Sequence, residues 1–84
     1  MTRDAAVVAV LGAMDSLGLK SPKLGKFAGD WRFLEDAGMD SLDEAELVLE
    51  IEDGFDIALP ERVDATKTVG ELADILFNAG KDSL

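Results

Sequence analysis

The stretch 37–55, AGMDSLDEAELVLEIEDGF, sets one serine among carboxylates: Ser41 follows Asp40 and precedes Asp43, Glu44, Glu46, Glu50, Glu52 and Asp53. A serine hydroxyl there could be a nucleophile, a helix cap or the acceptor of a transferred group. Nucleophilic use needs an activating base, and the chain has no His and no Cys, with no lysine near Ser41 in sequence. The same absences remove disulfides, thiolates and the commonest zinc ligands. Any thiol this protein uses must therefore belong to something attached to it. Paired carboxylates could act as general acid and base, but these lie along one helix of an 84-residue chain with little room for a deep cleft. Nor do they follow the calcium-loop spacing of an EF-hand, and no metal site is expected.

What remains for Ser41 is to cap a helix or to be acted upon. Ser41 with Glu44 three residues on has the form of a capping box, so the helix is expected to start at Asp40 or Ser41 and to run to about Gly54. A phosphate attached at such a start would meet unpaired backbone N–H groups and the positive end of the helix dipole. Around this helix, Leu47, Val48, Ile51 and Phe55 fall on one side and are expected to be core. Asp43, Glu46, Glu50 and Asp53 fall on the opposite side. Leu42, Ala45 and Leu49 form a second apolar strip on the flank between them. Like charges three and four residues apart cost a helix a few tenths of a kcal/mol per pair. Acids near its C-terminus also oppose the dipole. Selection for helix stability alone would have interleaved lysines, so the ridge and strip read as a docking surface for a basic partner.

The remaining elements must hold that helix. Val7, Val10, Leu11, Met14 and Leu17 predict a first helix from Arg3 or Asp4 to Ser16, capped by Thr2 or Asp4 and stopped by Gly18. From Leu19 to Met39 the chain is irregular, with Leu24, Phe27, Trp31, Phe33 and Leu34 as expected pins and a single helical turn near Trp31. Lys20, Lys23 and Lys26 read as a solvated cluster. Pro60 suits the start of a short helix to about Ala65. A last helix is expected from Thr68, with Glu71 as its capping partner, to a stop at Gly80; Val69, Leu72, Ala73, Ile75 and Leu76 form its stripe. The expected architecture is all-α: one domain over 1–84, a small antiparallel bundle of three main helices plus one short helix.

The net charge is −10, and thirteen acids against Arg32 and Arg62 lie between Asp30 and Asp64, so the excess is central. Such a field repels nucleic acid and steers basic protein surfaces toward it. The N-terminal segment is periodic rather than a solid apolar block, and no run is long enough to span a membrane. A cytoplasmic monomer is expected.

GMDSL followed by DEAELVLEIEDGFDIALPE closely resembles the acyl carrier protein family, from about Phe33 to Glu61 and more loosely through Lys67-Thr68-Val69-Gly70. The resemblance implies that Ser41 carries 4'-phosphopantetheine, delivered from coenzyme A by a separate holo-synthase, a phosphopantetheinyl transferase. The arm's thiol would then hold acyl groups as thioesters for acyl-processing enzymes with basic surfaces. It implies partner contacts at Asp40, Leu42, Asp43, Ala45, Glu46, Leu49, Glu52, Asp53 and Asp56, and an acyl cavity lined by Val48, Ile51, Leu59 and Leu72. It implies no catalysis by the chain itself. Ala37 stands where the family commonly has leucine, and Gly54 interrupts the end of the motif helix. The pathway is accordingly open among fatty-acid, modified-lipid and polyketide synthesis. The alternatives are a stand-alone aminoacyl carrier and an unmodified acidic adaptor on the same fold.

Overall fold

The computed structural model describes residues 2–23, 25, 28–55, 59 and 68–82. Among the described residues three helices carry the fold: α1 over Arg3–Ser16, α2 over Ser41–Phe55 and α3 over Val69–Asp82. A single 3-10 turn, Ala28–Asp30, interrupts the long connection before α2, next to Trp31 as expected. The expected short helix from Pro60 to Ala65 lies outside the described residues.

The ends of α1 follow from local chemistry. The Thr2 hydroxyl accepts the Ala5 N–H at 3.1 Å, satisfying one of the first-turn donors. At the other end Gly18 takes φ +73°, which lets its N–H reach Asp15 O at 3.0 Å and the Leu19 N–H reach Met14 O at 2.9 Å. This pair of bonds is a Schellman stop, and Leu19 packs back onto the core as that motif favours. At the start of α3 the Thr68 hydroxyl accepts the Glu71 N–H at 3.2 Å and donates to the Glu71 carboxylate. Gly80 does not stop α3, which continues to Asp82, since a helix interior tolerates glycine at a cost of about 1 kcal/mol.

The core is centred on α1, against which both α2 and α3 pack. Val10, Met14, Leu47, Ile51, Val69, Leu72 and Leu76 are its fully buried large side chains. Ala6, Ala13 and Ala73 are buried among them, and the small side chains let the helices approach closely. Leu11 and Leu17 border the core and Ile75 packs on its edge. Phe55 departs from expectation. It keeps 43% exposure: as the last residue of α2 it has no following helical turn beside it.

The long connection is pinned rather than slack. Trp31 donates its indole N–H to Lys20 O at 3.1 Å, and its carbonyl accepts the Val69 N–H at 2.9 Å, tying the loop to the first turn of α3. Phe33, Met39 and Ala28 are buried. Leu34, expected as a pin, is exposed, because the turn that buries Phe33 and Met39 places it on the outer side. Leu24, Phe27 and Lys26 lie outside the described residues. The turn of Ala28–Asp30 meets α3 so closely that a Cβ on Gly70 would lie 2.9 Å from the Gly29 carbonyl oxygen. Arg3, which ion-pairs with Asp74 at 2.6 Å, closes the same corner.

Candidate functional site

The site begins with the turn that delivers the chain to α2. Asp36 accepts the Arg32 N–H at 2.8 Å, while Arg32 O accepts the N–H groups of Asp36 and Ala37. Arg32 extends its guanidinium over the same turn to Glu35 and Asp36. The backbone N–H and the guanidinium of Arg32 hold the Asp36 carboxyl below its ordinary pKa. Met39 then bonds back to Phe33 O at 2.9 Å and buries its side chain, and between them Gly38 supplies the φ of +68° that the reversal requires.

Asp40, not Ser41, caps α2. Its carboxylate accepts the Asp43 N–H at 2.9 Å, its own N–H donates to the Asp43 carboxylate at 3.2 Å, and its carbonyl receives the first helical bond from Glu44. This is a reciprocal capping box shifted one residue upstream of the expected Ser41–Glu44 pair. Asp at the cap with Asp three residues on was a signal available in the sequence, masked by the equally good serine beside it. The consequence is chemical. Capping is done by Asp40 and Asp43, and residue 41 becomes the first helical residue, where the helix leaves N–H groups unpaired.

Along α2 the expected faces separate. Leu47 and Ile51 are buried and Val48 half-buried, whereas Leu42 is 66% and Leu49 58% exposed, with Ala45 exposed between them. Glu46, Glu50 and Asp53 are exposed, Asp43 and Glu52 partly so. Among the described residues none of the α2 carboxylates makes an ion pair. Arg32 is committed to Glu35 and Asp36, and Arg3 to Asp74. Glu50, on the ridge but outside the set that the resemblance implies, stands as open to solvent as Glu46. Glu52 behaves differently, accepting the Leu59 N–H at 2.8 Å. Of the residues expected to line a cavity, Ile51 and Leu72 are buried in the core, and Val48 and Leu59 are half-buried against it. Asp56 lies outside the described residues. Among the described residues no cluster of acids is arranged to hold a metal ion.

A family model described as "Phosphopantetheine attachment site" matches residues 30–84. The mitochondrial acyl carrier protein of Saccharomyces cerevisiae is 33% identical over 79 residues, covering 90% of this chain. The chain belongs to the acyl carrier protein family. Acyl carrier proteins of Akkermansia muciniphila and Bdellovibrio bacteriovorus are each 38% identical, over 75% and 81% of this chain. The chain spans 63% of the yeast protein's length, against 72% and 85% of the two bacterial ones. No solved structure matches it significantly. As a member of the acyl carrier protein family it is a carrier rather than a catalyst, and its cofactor is covalent 4'-phosphopantetheine. The geometry fits that group. A phosphodiester at the first helical position would lie at the positive end of the dipole, beside the first-turn N–H groups that the Asp40–Asp43 box does not use.

Proposed function

We propose that Ser41 is the attachment residue. In that reaction its hydroxyl oxygen bonds to the pantetheine-bearing phosphorus of coenzyme A. The pyrophosphate bond breaks, adenosine 3',5'-bisphosphate leaves, and the transferase takes up the hydroxyl proton. The loaded arm then holds acyl groups as thioesters and passes them between enzymes of fatty-acid or related lipid or polyketide synthesis. The observation that carries this reading is the Asp40–Asp43 box, which places residue 41 at the head of α2 without requiring it as the cap.

In this reading Asp40, Asp43, Glu46 and Asp53 attract basic partners, and Leu42, Ala45 and Leu49 supply the apolar contact. The lack of ion pairs on these acids among the described residues supports it, as does the exposure of two leucines that the core does not use. Val48, Ile51, Leu59 and Leu72 shelter the acyl chain. A monomer in the cytoplasm completes the reading, and the self-repulsion of a net charge of −10 favours the monomer. Among the described residues no helix is long and apolar enough to cross a membrane.

The test is an intact mass after incubation with coenzyme A and a promiscuous phosphopantetheinyl transferase. The chain is expected to gain one phosphopantetheine and Ser41→Ala to gain none. A gain that survives Ser41→Ala, or no gain by the parent chain, overturns the assignment.

A further inference from the structure

Glu52 does something that the neighbouring acids of α2 do not. Its carboxylate reaches past the end of the helix to accept the backbone N–H of Leu59, seven residues on, at 2.8 Å in a partly buried setting. The exposed carboxylates Glu46, Glu50 and Asp53 make no such bond among the described residues. Leu59 in turn is half-buried and packs against the core that includes Ile51 and Leu72; Val48 is likewise half-buried against that core. The helices on either side of this segment, α2 and α3, lean on α1 and meet each other sparsely. A hydrogen bond to a charged acceptor is also among the stronger single contacts a chain can make.

We propose that Glu52 is a positioning residue that fixes Leu59 against the core, and that this bond sets how well the apolar layer of Val48, Ile51 and Leu59 shelters a carried acyl chain. The second half rests on the carrier reading above; the first does not. The acids of α2 thus divide by role: Glu46, Glu50 and Asp53 stand in solvent, while Glu52 shapes the cargo side.

A carboxylate that acts by its charge and one that acts by an acceptor oxygen separate on substitution. Glu52→Gln removes the charge and keeps an oxygen in place; Glu52→Ala removes both. In the unmodified chain, amide hydrogen exchange followed by NMR is expected to show Leu59 protected. Protection should persist in Glu52→Gln. In Glu52→Ala the Leu59 amide should exchange about tenfold faster or more, as befits loss of one charge-assisted hydrogen bond. In the acyl-loaded protein, spontaneous thioester hydrolysis should quicken a few-fold in Glu52→Ala and fall back toward the parent rate in Glu52→Gln. A Leu59 amide that exchanges freely in the parent chain overturns the proposal, as does one whose exchange Glu52→Ala leaves unchanged. If Glu52→Ala fails to fold, the parent and Glu52→Gln decide the matter, because loss of protection in the charge-only variant is also a refutation. If exchange behaves as expected but thioester hydrolysis does not respond, the sheltering role is refuted and the positional one stands. Failure of the carrier reading shows separately, as no mass gain at Ser41, and leaves the exchange result untouched.

Discussion

The corner where α1, α3 and the turn of Ala28–Asp30 meet and the outer face of α2 are built on opposite principles. At the corner, charges find partners: Arg3 pairs with Asp74, and Glu71 closes the cap on α3. Backbones touch there, with Gly29 against Gly70, and Val69, Leu72 and Leu76 are fully buried. On the outer face of α2, Glu46, Glu50 and Asp53 stand with no ion pair among the described residues, beside two leucines more than half exposed. The first region spends its residues on stability. The second leaves carboxylates without ion partners among the described residues and leucines in water, which is what the docking face proposed above calls for.

That contrast can be broken by substitution. The largest effect is expected inside α2 itself: Leu47→Ala should cost about 2–5 kcal/mol in chemical denaturation, whereas Leu49→Ala, on the opposite flank, should change stability by no more than about 0.5 kcal/mol. Comparable costs at the two positions would mean that the outer leucine belongs to the core after all. At the corner, Gly70→Ala should cost about 1–3 kcal/mol, since its methyl must displace a backbone carbonyl rather than a flexible side chain. A thermal melt unchanged from the parent would show that the corner has slack.

A smaller effect is expected from pH. The native pKa of Asp36 lies below its unfolded value, so its contribution is complete above the ordinary carboxylate range and is lost as pH falls through the native value. Asp36→Asn should therefore flatten that part of the acid-unfolding curve, and an identical acid limb in both proteins would remove Asp36 from the account. Smallest of all, Glu50→Lys should stabilise the helix by a few tenths of a kcal/mol, because the lysine would face Glu46 four residues before and Asp53 three after. The same variant should be a poorer substrate for a basic transferase. Gained stability with unimpaired loading would reduce the ridge to a solvated face.

Much of this was legible in one dimension. Periodicity alone separates Leu47 and Ile51 from Leu42, Ala45 and Leu49, because the helical repeat assigns each residue an angle before anything packs. Gly18 announced its left-handed stop, since few other residues adopt positive φ without strain. The absence of His and Cys removed the usual local activators of Ser41 and meant that any thiol the protein uses belongs to something attached to it. Those statements depend on residue type and spacing only.

Other features waited on the third dimension. Asp40 and Ser41 are both good caps, and the choice between them was made by where the Arg32–Met39 turn, anchored through Trp31 to α3, hands over the chain. Phe55 fits the buried stripe by type and by angle, yet as the last residue of α2 it stays 43% exposed. Glu52 is one of several acids along α2, and its type and spacing do not set it apart. Only the tertiary structure brings the Leu59 nitrogen within 2.8 Å of its carboxylate, and a contact between residues on either side of a helix end is invisible to any periodic pattern. Residue types and the helical repeat thus determined which groups this protein offers and on which face of α2. The tertiary structure decided which of them are spent on holding the chain together, because hydrogen bonds and burial depend on distances that only the folded backbone sets.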